Sequence, residues 1–224
     1  MSRHYVITIS RQFGTGGREI GKALGAALEV PVYDRELLEE AARTYCIPVS
    51  VMERNDETAP SRVLESFALS APSLSMLTGA VDYSTIVTSD TTFAWQSATI
   101  RRLAKEGPCV IIGRCADYAL ADYPNHLSLF ISAPLEVRIQ RVAQRQNLTP
   151  EKARQLILKT DKRRASYYEY YSSKKWGSVD SYHFCIDSSY LGLGRTVELI
   201  QAMVAHKEHP IPSPTEEDPT RPRT

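Results

Sequence analysis

The chain has 224 residues, a length that suits one domain built around one core. With 42% hydrophobic and 24% charged residues, its composition excludes a disordered or fibrous class for the body of the chain. A formal net charge of +1 gives no overall attraction to nucleic acid or to an anionic membrane, so phosphate binding must rely on local basic residues. Because no signal peptide, membrane-length apolar stretch or Cys-x-x-Cys pair is present, we expect a cytoplasmic protein without a zinc site.

The first half of the chain predicts two strand–helix units and then an insertion. Residues 5–10 form a β-branched run that predicts a buried strand, and apolar residues recur at helical spacing over 20–28. Residues 30–33 predict a short second strand. Asp34 follows it, placed either to cap the next helix or to contact a ligand. Over about 45–100 the pattern loosens, and we predict helices joined by loops.

The second half continues the alternation of strands and helices. Strands are predicted over 109–112, which we expect to be central, 127–131 and 182–187, and helices over 135–146, from Pro150 toward Tyr171, and over 195–206. Residues 206–224 combine prolines with charges and predict a disordered tail. This order favours a three-layer α/β/α fold with a mainly parallel central sheet, whose ligands bind beyond the carboxyl ends of the strands.

A glycine-rich turn, Gly14-Thr15-Gly16-Gly17, lies between the first strand and the first helix. Its backbone N–H groups and the positive end of the helix can bind a phosphate, although a tight turn without a ligand has the same pattern. The motif G-x-x-x-x-G-K-[ST] is incomplete. Aligning its second glycine with Gly16 puts Gly17 at the lysine and Arg18 at the hydroxyl residue. Arg18, or Arg11 just before the turn, can supply the missing cation.

Residues 7–24, Tyr33-Asp34-Arg35-Glu36-Leu37-Leu38 and Val110-Ile111-Ile112-Gly113-Arg114 together resemble the cytidylate kinase-like family, divergent relatives of cytidylate kinase. The resemblance implies a nucleoside monophosphate kinase-like domain of the P-loop kinase type over 1–205. An insertion at about 45–100 would bind the monophosphate, and a basic lid would span about 150–178. The implied activity is transfer of the γ-phosphoryl group of ATP to CMP or dCMP with Mg²⁺. The implied partners are nucleotides, not nucleic acid.

The resemblance also assigns residues to the two substrates. Gly14, Thr15, Gly16, Gly17 and Arg18 match the ATP-binding loop, with Arg18 taking a catalytic role as its cation. Acceptor binding is assigned to Asp34, Arg114, Arg138 and Arg141. No direct metal ligand is assigned, although Asp34 can help to hold Mg²⁺ through water. As an alternative, Arg114 can pair with an acid such as Asp117. Cys115 stands where the family usually has aspartate.

The basic segment 159–168 resembles the lid that closes over the transferring phosphate. Arg163 and Arg164 are the candidates for neutralising charge in the transition state, with Asp161 orienting them, although such a run is also typical of a solvated helix face. The neighbouring tyrosines at 167, 168, 170 and 171 can stack on a base, but core packing is the simpler interpretation.

Two other functions remain open at this stage. Loss of the motif lysine and hydroxyl is also compatible with a catalytically silent nucleotide sensor or interaction module. Replacement of the family aspartate by Cys115 is compatible with a kinase for a different small acceptor.

Overall fold

Strands and helices alternate throughout the part of the chain that the structure, a computed structural model, describes: residues 5–54, 56–60 and 87–208. The strands are β1 (Val6–Arg11), β2 (Val32–Tyr33), β3 (Cys109–Ile112), β4 (His126–Ser132) and β5 (Phe184–Asp187). The helices are α1 (Gly17–Leu28), α2 (Glu36–Tyr45), α3 (Val49–Arg54), α4 (Ser89–Glu106), α5 (Ala116–Ala119), α6 (Leu135–Gln146), α7 (Pro150–Ser172) and α8 (Ser188–Glu208).

The strands form one parallel sheet in the order β2-β3-β1-β4-β5. Strand β1 is central, and Val6 pairs with Cys109 of β3 on one side and with His126 of β4 on the other. The predicted parallel sheet is therefore confirmed. Strand β3, expected to be central, lies inside the sheet between β2 and β1, and all four of its residues are buried. Because all strands run the same way, the residues that follow β1, β2 and β3 meet at one edge of the sheet.

Each face of the sheet packs against helices. Successive side chains of β1 point to opposite faces, so its apolar residues are buried on both sides. Ile7 and Ile9 face a cluster that includes Leu24 of α1 and Ile200 of α8. Val6 faces the opposite cluster, which includes Ile100 of α4. The α/β/α layering predicted from the sequence is thus confirmed.

Most predicted elements occur close to their expected positions. Helix α6 has the predicted bounds, and α7 begins at Pro150, where the Thr149 side chain accepts a hydrogen bond from the N–H of Lys152. Helix α8 begins at Ser188, earlier than the predicted residue 195, and Gly192, with φ of 77°, interrupts it. Part of the predicted insertion (61–86) and most of the predicted tail (209–224) lie outside the described residues. Among the helices described, none is long and apolar enough to cross a membrane.

Candidate active site

The glycine-rich turn forms a tight loop between β1 and α1. Gly14 and Gly16 have φ of 84° and 81°, a conformation that glycine adopts without strain. Gly16 precedes the first residue of α1, and its carbonyl accepts the N–H of Ile20. A Cβ on Gly14 would lie 2.8 Å from Cγ2 of Val142, so the loop also has no room for a side chain there. This loop therefore presents backbone N–H groups and the positive end of a helix to the same space.

Side chains from distant segments hold the loop in place. The Thr15 hydroxyl donates to the carbonyl of Gln12 at 2.9 Å, and its own carbonyl accepts from Nη1 of Arg141 at 3.0 Å and from Oγ of Ser188 at 2.7 Å. The backbone N–H of Phe13 donates to Oδ1 of Asp161 at 2.7 Å. The loop is thus attached to α6, α7 and the start of α8.

A cleft of about 830 Å³ opens over this loop. Residues from the loop, α1, the start of α2, the insertion, the end of β3, α6, α7 and α8 line it, among them Arg11, Gly14, Gly16, Gly17, Arg18, Asp34, Asp56, Glu57, Arg114, Arg141, Arg163, Arg164 and Leu193. The volume is that of an ordinary small-molecule site. The sheet topology brings the loop after β1 and the residues after β2 and β3 to this cleft.

Arg114 enters the cleft from a strained turn after β3. Gly113, Arg114 and Cys115 have φ of 78°, 56° and 50°, an uncommon conformation for the two residues that are not glycine. Arg114 is 5% exposed, and its Nε and Nη2 donate to the two carboxylate oxygens of Asp56 at 3.0 and 2.9 Å. Its Nη1 donates to Oδ1 of Asp34 at 3.3 Å. Arg114 thus pairs with these two acids and not with Asp117.

Asp34 contacts arginines and does not cap α2. Its Oδ2 lies 2.6 Å from Nε of Arg18, while Oδ1 accepts from Arg114. The residue preceding α2 is Arg35, whose side chain caps no backbone N–H. Of the two interpretations that the sequence left open, the structure therefore favours a carboxylate directed at the cleft.

Glu57, like Asp56, is a site residue that the sequence did not reveal. Its Oε1 accepts from Nη1 of Arg11 at 2.9 Å, and its Oε2 lies 3.3 Å from Nε of Arg164. Burial alone would raise the pKa of Glu57, but Arg11, Arg164 and Arg114 outweigh it and hold that pKa well below its usual range. Glu57 lies in the loosely patterned insertion, where the sequence offers no periodicity or motif to single it out.

The predicted lid residues occupy different environments. Arg163 is exposed and lines the cleft, with no ion pair to any other described residue. Arg164 is largely buried; its Nη1 donates to the carbonyl of Arg11, and burial followed by the charge of Arg11 lowers its pKa to about 10. Asp161, expected to orient Arg163 and Arg164, instead accepts hydrogen bonds from the N–H of Phe13 and from Nη1 of Arg138. These contacts position the glycine-rich loop.

Arg138 and Arg141, both assigned to the acceptor, contact the backbone of the glycine-rich loop. Arg138 is 6% exposed and donates to the carbonyls of Ala133 and Phe13 and to Asp161. It lies beneath the loop, where it supports the backbone, instead of at the acceptor end as we expected. Arg141 does line the cleft, but its Nη1 binds the Thr15 carbonyl.

Cys115 packs away from the cleft, in a cluster with Phe130, Tyr167, Tyr168 and Tyr182. Burial raises the pKa of its thiol well above the usual range. Position 115 therefore offers no charged contact to an acceptor. Tyr167 and Tyr168 are 3% and 2% exposed, as core packing predicts, but Tyr170 is 53% exposed and does not pack in the core.

In the described part of the chain, no group of three or more His, Cys, Asp or Glu side chains could hold a metal ion. Mg²⁺ in kinases usually keeps several waters and binds one or two carboxylates together with substrate phosphates. Asp34 is a cleft carboxylate that fits this pattern.

Comparison with known proteins now identifies the family. Residues 6–190 match the cytidylate kinase-like family. The chain belongs to this family. A cytidylate kinase from Methanopyrus kandleri is 28% identical over 112 residues, which cover 46% of this chain and 58% of that relative. Our chain thus matches a little over half the length of this curated family relative.

Solved structures agree on the fold. An uncharacterized protein from Eubacterium ventriosum is 25% identical, with a TM-score of 0.67 over 91% of this chain and 99% of that one. A shikimate kinase from Bacteroides thetaiotaomicron superposes with a TM-score of 0.51 at 14% identity, over 91% of this chain and 99% of its own. The latter likeness concerns the fold alone. Membership of the cytidylate kinase-like family supports kinase-type phosphoryl transfer at the level of the family and leaves the acceptor open.

Proposed function

We propose that this protein transfers the γ-phosphoryl group of ATP to a small acceptor, and that CMP or dCMP is the acceptor to test first. The observation that carries the proposal is that Asp34 and Arg114, which contact each other, line the same cleft as the glycine-rich loop. A loop of backbone N–H groups suits the polyphosphate of a donor, and an arginine beside a carboxylate suits an acceptor that carries both a phosphate and hydroxyl groups.

The chemistry requires positioning and cations more than covalent help. The acceptor oxygen attacks the γ-phosphorus in line, so no covalent intermediate with the protein forms. Gly14 to Gly17 hold the donor, and Arg163 and Arg164 neutralise charge on the transferring group. When bound, Mg²⁺ would neutralise phosphate charge, with Asp34 as its contact through water.

Arg114 supports a phosphate-bearing acceptor because it is a preformed, buried guanidinium. Asp56 and Asp34 neutralise its charge. A phosphate is tetrahedral, but it can present two of its oxygens to the planar guanidinium as the Asp56 carboxylate does. Acceptor binding therefore requires Arg114 to exchange at least part of its contact with Asp56.

A second candidate function follows from the incomplete motif. Because Gly17 stands at the lysine and Arg18 at the hydroxyl residue, a nucleotide sensor that binds ATP without turnover has a specific observation in its favour. The buried Cys115, in place of the family aspartate, likewise favours testing acceptors beyond the cytidine nucleotides.

A coupled ADP-release assay with Mg-ATP and CMP, dCMP, UMP, AMP or GMP tests these functions. Arg18→Ala is run beside Arg43→Ala, a control that removes an exposed arginine paired with Glu40 outside the cleft. We expect turnover on CMP or dCMP that Arg18→Ala loses and Arg43→Ala keeps. Turnover on another acceptor alone would reassign the substrate. ATP binding by calorimetry without turnover would favour the sensor.

A further inference from the structure

The position of the missing motif lysine is filled by another side chain. A Cβ built on Gly17 would lie 2.7 Å from Cβ and 3.1 Å from Cγ of Arg11. Real side chains do not approach one another so closely, so a lysine at position 17 and the arginine at position 11 exclude each other. The stem of Arg11 therefore runs through the space that the lysine stem would use.

Two of the three departures from the motif, at positions 11 and 17, are also complementary in sequence. When the second motif glycine is aligned with Gly16, the first falls on Arg11 and the lysine on Gly17. Relative to the motif, this chain has an arginine in place of the first glycine and a glycine in place of the lysine, so the cation has moved from one end of the loop to the other. This exchange conserves both the charge and the space within the loop.

We propose that Arg11 replaces the motif lysine and that its guanidinium, extending from the end of β1, binds the phosphates of the nucleotide in the loop. The inference deepens the proposed function and rests on it. Arg11 lines the cleft together with Gly14 and Gly17. Its side chain is only 12% exposed, so it is held in place and loses little freedom on binding an anion.

The present partner of Arg11 marks an anion position in the cleft. Nη1 of Arg11 binds Oε1 of Glu57, while Arg164 from α7 reaches the other carboxylate oxygen. Guanidinium groups bind carboxylate and phosphate with the same planar donor geometry. Two cations converging on one carboxylate, at the edge of a phosphate loop, are therefore placed to receive phosphate oxygens.

Arg18, the other candidate for this cation, is placed differently. Its side chain is 49% exposed, and its Nε lies 2.6 Å from Oδ2 of Asp34. Asp34 also binds Arg114, so Arg18 belongs to the acceptor end of the cleft. We therefore move the donor cation from Arg18, the expectation from sequence, to Arg11.

A charge-transposition experiment tests the assignment. The variants are Arg11→Gly, Gly17→Lys and the double variant Arg11→Gly/Gly17→Lys, which restores the order of the complete motif. Loss of a charge-stabilising donor typically lowers kcat by about 100-fold or more. We expect such a loss in Arg11→Gly, and a loss in Gly17→Lys because the introduced side chain meets Arg11. The double variant should exceed both single variants at least tenfold in turnover and in ATP affinity.

Calorimetric ATP affinity separates this inference from the proposed function. If the wild type binds ATP without turnover, the proposed phosphoryl transfer is wrong. The order of ATP affinities among the variants then still tests whether Arg11 binds the phosphates of the nucleotide. A double variant no better than Arg11→Gly, or an Arg11→Gly variant equal to the wild type, overturns the inference even if the wild type is active. A wild type that binds no nucleotide overturns both. Thermal unfolding of each variant checks that the comparison is made on folded protein.

Discussion

At the scale of single residues, the loop glycines serve two physical requirements at once. Gly14 and Gly16 have positive φ, and each also packs closely against another element: Gly14 against Val142 of α6 and Gly16 against Leu193 of α8. A side chain at either position would need a strained backbone and would separate the loop from its support. The glycines thus hold the N–H groups of the loop in one arrangement before any ligand binds.

We predict that Gly14→Ala lowers the free energy of unfolding by roughly 1–3 kcal/mol, because the added methyl group meets Val142 and φ stays positive. ATP affinity should fall more than tenfold by calorimetry. Gly194→Ala is the matched control: nothing lies within 4 Å of its added Cβ, and alanine favours a helix by up to about 1 kcal/mol. Equal stability and ATP affinity in the two variants would contradict this role of Gly14.

At the scale of elements, a buried polar contact joins α5 to α7 beneath the Arg114 turn. Asp117 of α5 accepts a 2.7 Å hydrogen bond from the hydroxyl of Tyr168 of α7. Burial raises the pKa of Asp117 from 3.8 to about 6, although the bond from Tyr168 opposes the rise. The folded protein therefore holds a proton on Asp117 in a pH range where the unfolded chain has released it.

This proton makes stability depend on pH with a definite sign. Folding raises the pKa of Asp117, so the proton bound to Asp117 stabilises the folded protein. This stabilisation is fully present below about pH 4 and is lost as the pH rises through about 6. A rise from 3.8 to about 6 corresponds to roughly 3 kcal/mol as an upper bound. Asp117→Asn removes this titration. From pH 4 to 7 the free energy of unfolding, measured by urea denaturation, should therefore rise in Asp117→Asn relative to the wild type. Parallel profiles for the two proteins would count against the prediction.

At the scale of the whole molecule, the cleft joins segments that are far apart in the chain. Glu57 of the insertion bridges Arg11 at the end of β1 and Arg164 of α7. Asp34 after β2 bridges Arg18 of α1 and Arg114 after β3. A ligand that binds these arginines therefore stabilises the contacts among several elements of the fold together, and its binding should be visible in global unfolding.

We expect Mg-ATP at about 100 times its Kd to stabilise the protein by roughly 2.7 kcal/mol. For a domain of this size that corresponds to a rise in Tm of about 5–10 °C. Differential scanning fluorimetry measures it, with Gly14→Ala losing most of the shift and Arg43→Ala keeping it. A full shift in Gly14→Ala would show that the nucleotide binds elsewhere.

Much of the fold follows from patterns that span only a few neighbouring residues. Apolar runs predict β1, β3 and β4 because parallel strands buried on both faces need continuous apolar sequence. Thr149 and Pro150 predict the start of α7 through local capping chemistry. The glycine-rich turn and the family are likewise readable from short segments. The start of α8 was the exception, because this helix begins at Ser188, before the predicted residue 195, and resumes beyond the interruption at Gly192.

The sequence by itself determined the parallel α/β architecture, the glycine-rich loop and the absence of the motif lysine, because local periodicity and backbone requirements depend on adjacent residues. Only the tertiary structure decided which charges meet. It paired Arg114 with Asp56, put Arg138 beneath the loop and brought Glu57 to Arg11 from 46 residues away. A charged side chain carries no sign of its partner in its own neighbourhood, since ion pairs form between elements that come together only when the sheet and its helices pack.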